Sequence, residues 1–148
     1  MTDRDRDLFA HHLSHLQQYT YFLLAAVGAC LGFALTQTQG SGLSWEEVPL
    51  GLAVVSWGLS VWCGCKHIER GSLTLYANYA LVQVQEGRHP EISGYDPSLQ
   101  SYAVDGIRSA AERHSVLASR FARFQFRFFV FGVLCYLVWH VLEMWHRT

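Results

Sequence analysis

Gly132, Tyr136, His140, Glu143 and Arg147 are spaced four, four, three and four apart, which places them on one face of a helix. Phenol, imidazole, carboxylate and guanidinium groups in a row make a polar stripe, wettest at its outer end. The row starts inside a run, 128–142, that holds no Asp, Glu, Lys or Arg. An ionisable group in such a run is costly unless it faces a bundle interior or water. Two readings are open. Gly132, Tyr136, His140 and Glu143 line a pore or cavity, or His140 and Glu143 snorkel to a nearby interface.

A second set is basic. Arg113, Arg120, Arg123 and Arg127 follow Glu112 with no acidic residue among them, and ten of the eleven basic residues of the chain are arginine. Guanidinium grips phosphate in a fixed fork. The set suits anionic lipid headgroups or RNA lying beside a membrane, or else it is the plain positive anchor of a membrane protein. Histidine supplies a third set. Asp7, His11 and His15 are four apart, as are Cys63 and His67. Neither pattern completes a metal-ligand shell, so no metal and no cofactor are expected. There is no Gly-rich phosphate loop, nucleophile elbow or pair of carboxylates in an apolar setting.

The elements that must carry these residues follow from the hydropathy. Of 148 residues, 51% are hydrophobic and only 16% charged, where soluble domains carry about 25%. Charged residues are missing between Asp7 and Glu46, between Glu47 and Lys66, and between Arg127 and Glu143. A helix needs about 20 apolar residues to cross the roughly 30 Å hydrocarbon layer. The pattern predicts an all-α, polytopic membrane protein of one three-span domain, with spans at 19–35, 48–65 and 128–145. This disfavours a soluble enzyme, a strongly basic nucleic-acid module and a disulfide-stapled secreted domain. Cys30, Cys63, Cys65 and Cys135 all lie in or beside the spans and are expected to be free thiols acting as small hydrophobes.

Residues 66–127 contain eight Lys and Arg, whereas 36–47 contain none. The positive-inside rule then puts 66–127 and the N-terminal arm 1–18 in the cytoplasm, with 36–47 and the C-terminus external, as in a bacterial inner membrane. The first seven residues carry more Asp than Arg, so no signal peptide is expected.

The arms are expected to be helical too. Leu8, His12, Leu16 and Tyr19 extend the first span backwards at helical spacing. Ile68, Leu75, Tyr79 and Val82 extend the second forwards, with Gly87 as a C-terminal cap. Asp96–Pro97 reads as an N-cap followed by a first-turn proline. From there Leu99, Ala103, Ile107, Ala110, His114, Leu117, Phe121, Phe124 and Phe128 recur every three or four residues. The expectation is three long helices, two of whose arms form a cytoplasmic hairpin closed by residues 88–97.

In lipid, helices associate through close backbone approach, so small-residue faces mark contacts. Gly28 and Gly32 form a G-x-x-x-G pair, and Ser56, Ser60 and Gly64 form a stripe on span two. They join spans within a protomer or join protomers, and a homo-oligomer is expected because three spans bury little surface alone. A protein partner at the cytoplasmic hairpin is a further expectation.

Arg108, five residues and then His114 makes an R-x5-H sequence, and Arg6, four residues and then His11 makes a shorter one. Both resemble the R-x(4–6)-H signature of HEPN ribonucleases. The resemblance implies RNA cleavage without metal, with His114 as acid or base and Arg108 steadying phosphate. In layout the chain resembles the small transmembrane accessory proteins of type VI-B CRISPR loci. That implies assembly into a membrane pore in phage defence, with the motif structural or regulatory, because a continuous helix through Arg108 and His114 leaves no RNA cleft. Three functions are therefore expected in turn: an oligomeric pore or permeability effector, a non-catalytic subunit or scaffold of a larger membrane complex, and a membrane-tethered ribonuclease.

Overall fold

The structure, a computed structural model, describes the backbone of residues 3–37, 45–86, 88 and 97–146, and side-chain surroundings within 18–37, 45–88 and 101–145. The described chain is helical: α1 (Asp3–Gln37), a 3-10 turn (Trp45–Glu47), α2 (Val48–Gln85) and α3 (Pro97–His146). Each helix contains a segment long and apolar enough to cross a membrane, within Gln18–Gln37, Val48–Gln85 and Ser101–Trp145. The helices have 35, 38 and 50 residues. At about 1.5 Å per residue each is far longer than a roughly 30 Å hydrocarbon layer, so the apolar runs and the charged arms belong to the same rods.

Among the described residues, proline falls only where it does no harm. Pro49 lies in the first turn of α2 and Pro97 opens α3, where the backbone N–H would be unpaired anyway. Gly87, Asp96 and the connection 89–96 lie outside the described residues.

Contacts divide the chain into two units, Met1–Gly64 with Ala122–Thr148, and Cys65–Phe121. The first is a three-helix bundle. Its core consists of Val27 and Ala34 from α1, Leu50, Ala53 and Trp57 from α2, and Trp139 from α3. The buried positions follow a seven-residue rhythm. Thr20, Val27 and Ala34 are seven apart on α1, as are Gln125, Gly132 and Trp139 on α3. On α2, Leu50, Ala53, Trp57, Ser60 and Gly64 alternate steps of three and four. This is the register of helices wound round one another with a left-handed supercoil.

The second unit pairs parts of α2 and α3. Its inward face on α2 runs His67, Arg70, Thr74, Ala77, Leu81 and Val84, and on α3 it centres on Ala111 and Ala118. The apolar stripe expected on α2 proves to be largely an outer face: Ile68 is half-buried, but Leu75, Tyr79 and Val82 are exposed, with Tyr76 beside them. The stripe expected on α3 is displaced from the seam. Ala103, Ile107, Ala110, His114, Leu117, Phe121 and Phe128 flank it half-buried and Phe124 faces outward, whereas Ala111, Ala118 and Gln125 hold its centre. Small side chains at the centre let the helices come close, and the larger ones wrap the sides.

Candidate functional site

In the first unit, the Ser56, Ser60 and Gly64 face is buried within the protomer. A methyl group at Gly64 would lie 2.7 Å from Gln125 Nε2 and 2.9 Å from Leu24 Cδ2. Ser60 Oγ donates to the Gln125 backbone oxygen at 2.8 Å. The small stripe therefore serves a three-helix contact, with a glutamine of α3 lying against the glycine of α2. Gln125 is 1% exposed and its Nε2 has no hydrogen-bond partner among the described residues. Apolar periodicity does not point to Gln125; its signal is its place seven residues before Gly132.

Gly132 is the reciprocal notch on α3. A methyl group there would meet Trp57 Nε1 at 2.5 Å. The indole fills the space the glycine leaves, and its Nε1 is also buried without a partner. Above it the rings of Trp57, Tyr136 and Trp139 pack together, with centroids 5.9 Å apart for Trp57–Tyr136 and 5.6 Å for Tyr136–Trp139. Phe33 of α1 meets Tyr136 edge-on at 6.2 Å. The row Gly132–Tyr136–His140–Glu143 thus runs from the interior outwards: Gly132 is buried, Tyr136 half-buried and His140 exposed with its ring stacked on Tyr136 at 6.3 Å. Glu143 is half-buried, and Arg147 lies outside the described residues.

Gly28 and Gly32 are placed differently. Both are exposed and a methyl group at either would touch nothing within 4 Å. Ala25 and Ala29 are exposed beside them. The G-x-x-x-G face of α1 is consequently open among the described residues.

In the second unit the R-x5-H pair is not brought together. Six residues along a helix turn the chain by about 240°, so the two side chains diverge. Arg108 is exposed, and half-buried His114 turns towards α2, where Arg70 Nη1 lies 3.3 Å from its Nδ1. One turn away on α2, His67 Nδ1 donates to the Ala118 carbonyl at 2.9 Å. The other R-x4-H, Arg6 and His11, and the set Asp7, His11 and His15 lie where side chains are not described. Cys63 is buried in the first unit, and no group of three or more potential ligands could hold a metal among the described residues.

Arg113, Arg120, Arg123 and Arg127 are all exposed. Three of them stand two residues beyond the seam positions Ala111, Ala118 and Gln125, which is about 200° round the helix. The arginines thus occupy the back of α3, opposite its contacts. Nearby on α2, Lys66 Nζ is 2.6 Å from Glu69 Oε2, and that bond and charge hold the Glu69 carboxyl below its usual range, with Arg70 adding to the effect.

Compared with protein-family models, with curated proteins and with solved structures, the chain matches none.

Proposed function

We propose that this chain is a membrane-embedded bundle that self-assembles, and that the assembly controls permeability along a path between protomers. The carrying observation is the open face of α1: a methyl group at Gly28 or Gly32 would meet nothing within 4 Å, although the other small-residue face of the bundle is fully used inside the chain. Small residues in lipid are where another helix can approach closely. The second unit supports the same reading. Leu75, Tyr76, Tyr79 and Val82 form an outward apolar face on a stretch flanked by charge, and such faces mark association surfaces.

A path through a single protomer has no room, because Trp57, Tyr136 and Trp139 fill the bundle centre. A path between copies would have a polar group on its wall in exposed His140. The arginine distribution orients the assembly in a bacterial inner membrane, with the N-terminus and the 66–127 hairpin cytoplasmic and the C-terminus external. The resemblance in layout adds a setting: permeability changed during phage defence, with the hairpin offered to a cytoplasmic partner.

The mass of the detergent-solubilised particle and planar-bilayer recordings test this together. A particle with several copies of the 16.8 kDa chain and a measurable conductance are expected. A monomeric particle silent in the bilayer overturns the reading, and a stoichiometric complex with another protein favours the subunit reading instead.

A further inference from the structure

We propose that Arg70 and His114 form a binding site for a phosphate-type oxyanion. Arg70 is half-buried in the second unit, and among the described residues no carboxylate lies within ion-pair distance of it. Glu69, its neighbour in sequence, is turned to Lys66. The partner Arg70 does have is another base, the His114 ring nitrogen at 3.3 Å. A guanidinium is always charged and has no acceptor. For this contact to be a hydrogen bond, His114 must be neutral with Nδ1 accepting, which leaves its Nε2–H as a donor. The pairing thus satisfies one N–H and cancels no charge.

The remaining geometry indicates what is missing. Nη1 is taken by His114, and Nε is sheltered with no partner. The edge left without a protein partner is therefore the Nε–Nη2 edge, with Nε itself buried. Its two parallel N–H groups match two oxygens of a phosphate, the fork–fork pairing that makes arginine selective for such groups. The surroundings supply no competitor. On α3 the neighbours towards the seam are Ala111 and Ala118, while Glu112 and Asp105 are exposed. On α2, Thr74 Oγ1 donates to the Arg70 carbonyl, and His67 is occupied by Ala118. Glu69 feels the Arg70 charge but is bonded to Lys66; a partly sheltered cation with no direct ion pair is costly, and a dianionic or monoanionic phosphate would reduce that cost.

Two sources share this chemistry. Arg70 lies five residues after the apolar run 48–65, about 7 to 8 Å of helix rise. If the run spans the bilayer, as proposed above, that is headgroup depth and the phosphate is a lipid's. A free phosphate monoester needs no bilayer at all.

Histidine-ring NMR on the full chain separates these cases. In neutral detergent, inorganic phosphate is titrated against chloride at constant ionic strength. In a second arm, bicelles of zwitterionic lipid receive increasing phosphatidic acid. Saturable shifts of the His114 ring, with His140 unmoved, are expected in one arm or both, and the responding arm names the source. Arg70→Gln is expected to weaken the response at least tenfold, and Arg70→Lys, which keeps charge but loses the fork, to fall between. An unmoved His114 in both arms, shifts common to all histidines, or an unchanged response in Arg70→Gln overturns the site. Should Arg70→Gln lose helicity, the wild-type contrast between His114 and His140 decides alone. The free-phosphate arm stands even if the chain proves not to enter a bilayer.

Discussion

A methyl group added at Gly132 would land 2.5 Å from Trp57 Nε1 and 2.6 Å from Cδ1. Trp57 is 2% exposed, so its indole has nowhere easy to go. Gly132→Ala is expected to cost about 1–3 kcal/mol, the usual penalty for overpacking, read as a lower denaturation midpoint in detergent. Gly64→Ala meets only the far ends of Gln125 and Leu24. These can yield, and alanine brings up to about 1 kcal/mol of helix propensity, so this change should be nearly neutral. Gln125 offers a sharper contrast. Its side-chain Nε2 is buried without a partner, whereas the Ser60 hydroxyl bonds to its backbone oxygen. Gln125→Leu keeps that bond and removes the orphan donor, so stability should be unchanged or raised. Ser60→Ala should lose about 0.5–1.5 kcal/mol. A marked destabilisation by Gln125→Leu in the same denaturation assay would mean that the amide makes a bond essential to the bundle.

The helices show which layers of structure composition exposes. Three charge-free runs and the absence of interior proline were enough to read three long rods, and Val48 begins both the expected second span and α2. The inward faces were not legible in the same way. Hydrophobicity marks the buried face only where water is the alternative. Where lipid or another chain can cover the outside, Leu75, Tyr79 and Val82 point out and the seam takes Ala111, Ala118, Gln125 and Gly132. The seven-residue spacing of residues of mixed size and polarity, rather than apolarity, carries the register. Arg70–His114 was illegible for a related reason: it joins residues 44 positions apart across two helices, whereas the visible R-x5-H lies along one. On the exposed side of α2, the Lys66–Glu69 pair gives a pH test. The folded-state pKa of Glu69 is depressed, so its contribution is fully present above the unfolded value of about 4.3 and is lost as pH falls through the lower folded value. Acid titration of helicity should therefore decline only at the acidic end, and Glu69→Gln should remove that part of the decline.

At the scale of the molecule the three faces of α3 have separate tasks. The seam residues join the protomer, the arginines stand at the back, and exposed His140 carries the polar row outwards. With aromatic rings at the bundle centre, the proposed assembly would carry water past outer faces. This yields a test that does not depend on conductance being large. In a chain whose four native cysteines are replaced by alanine, single cysteines are placed at His140, Gly28 and Val27. His140→Cys should react with a water-soluble thiol reagent in reconstituted vesicles and alter the conductance once modified. Val27, fully buried in the protomer core, should stay unreactive. Gly28→Cys separates association from conduction: on a helix-to-helix contact it should cross-link two copies under oxidation and be shielded from the reagent. A reactive Val27→Cys beside an inert His140→Cys would put the water inside the protomer, and the self-assembled path between copies would have to be abandoned.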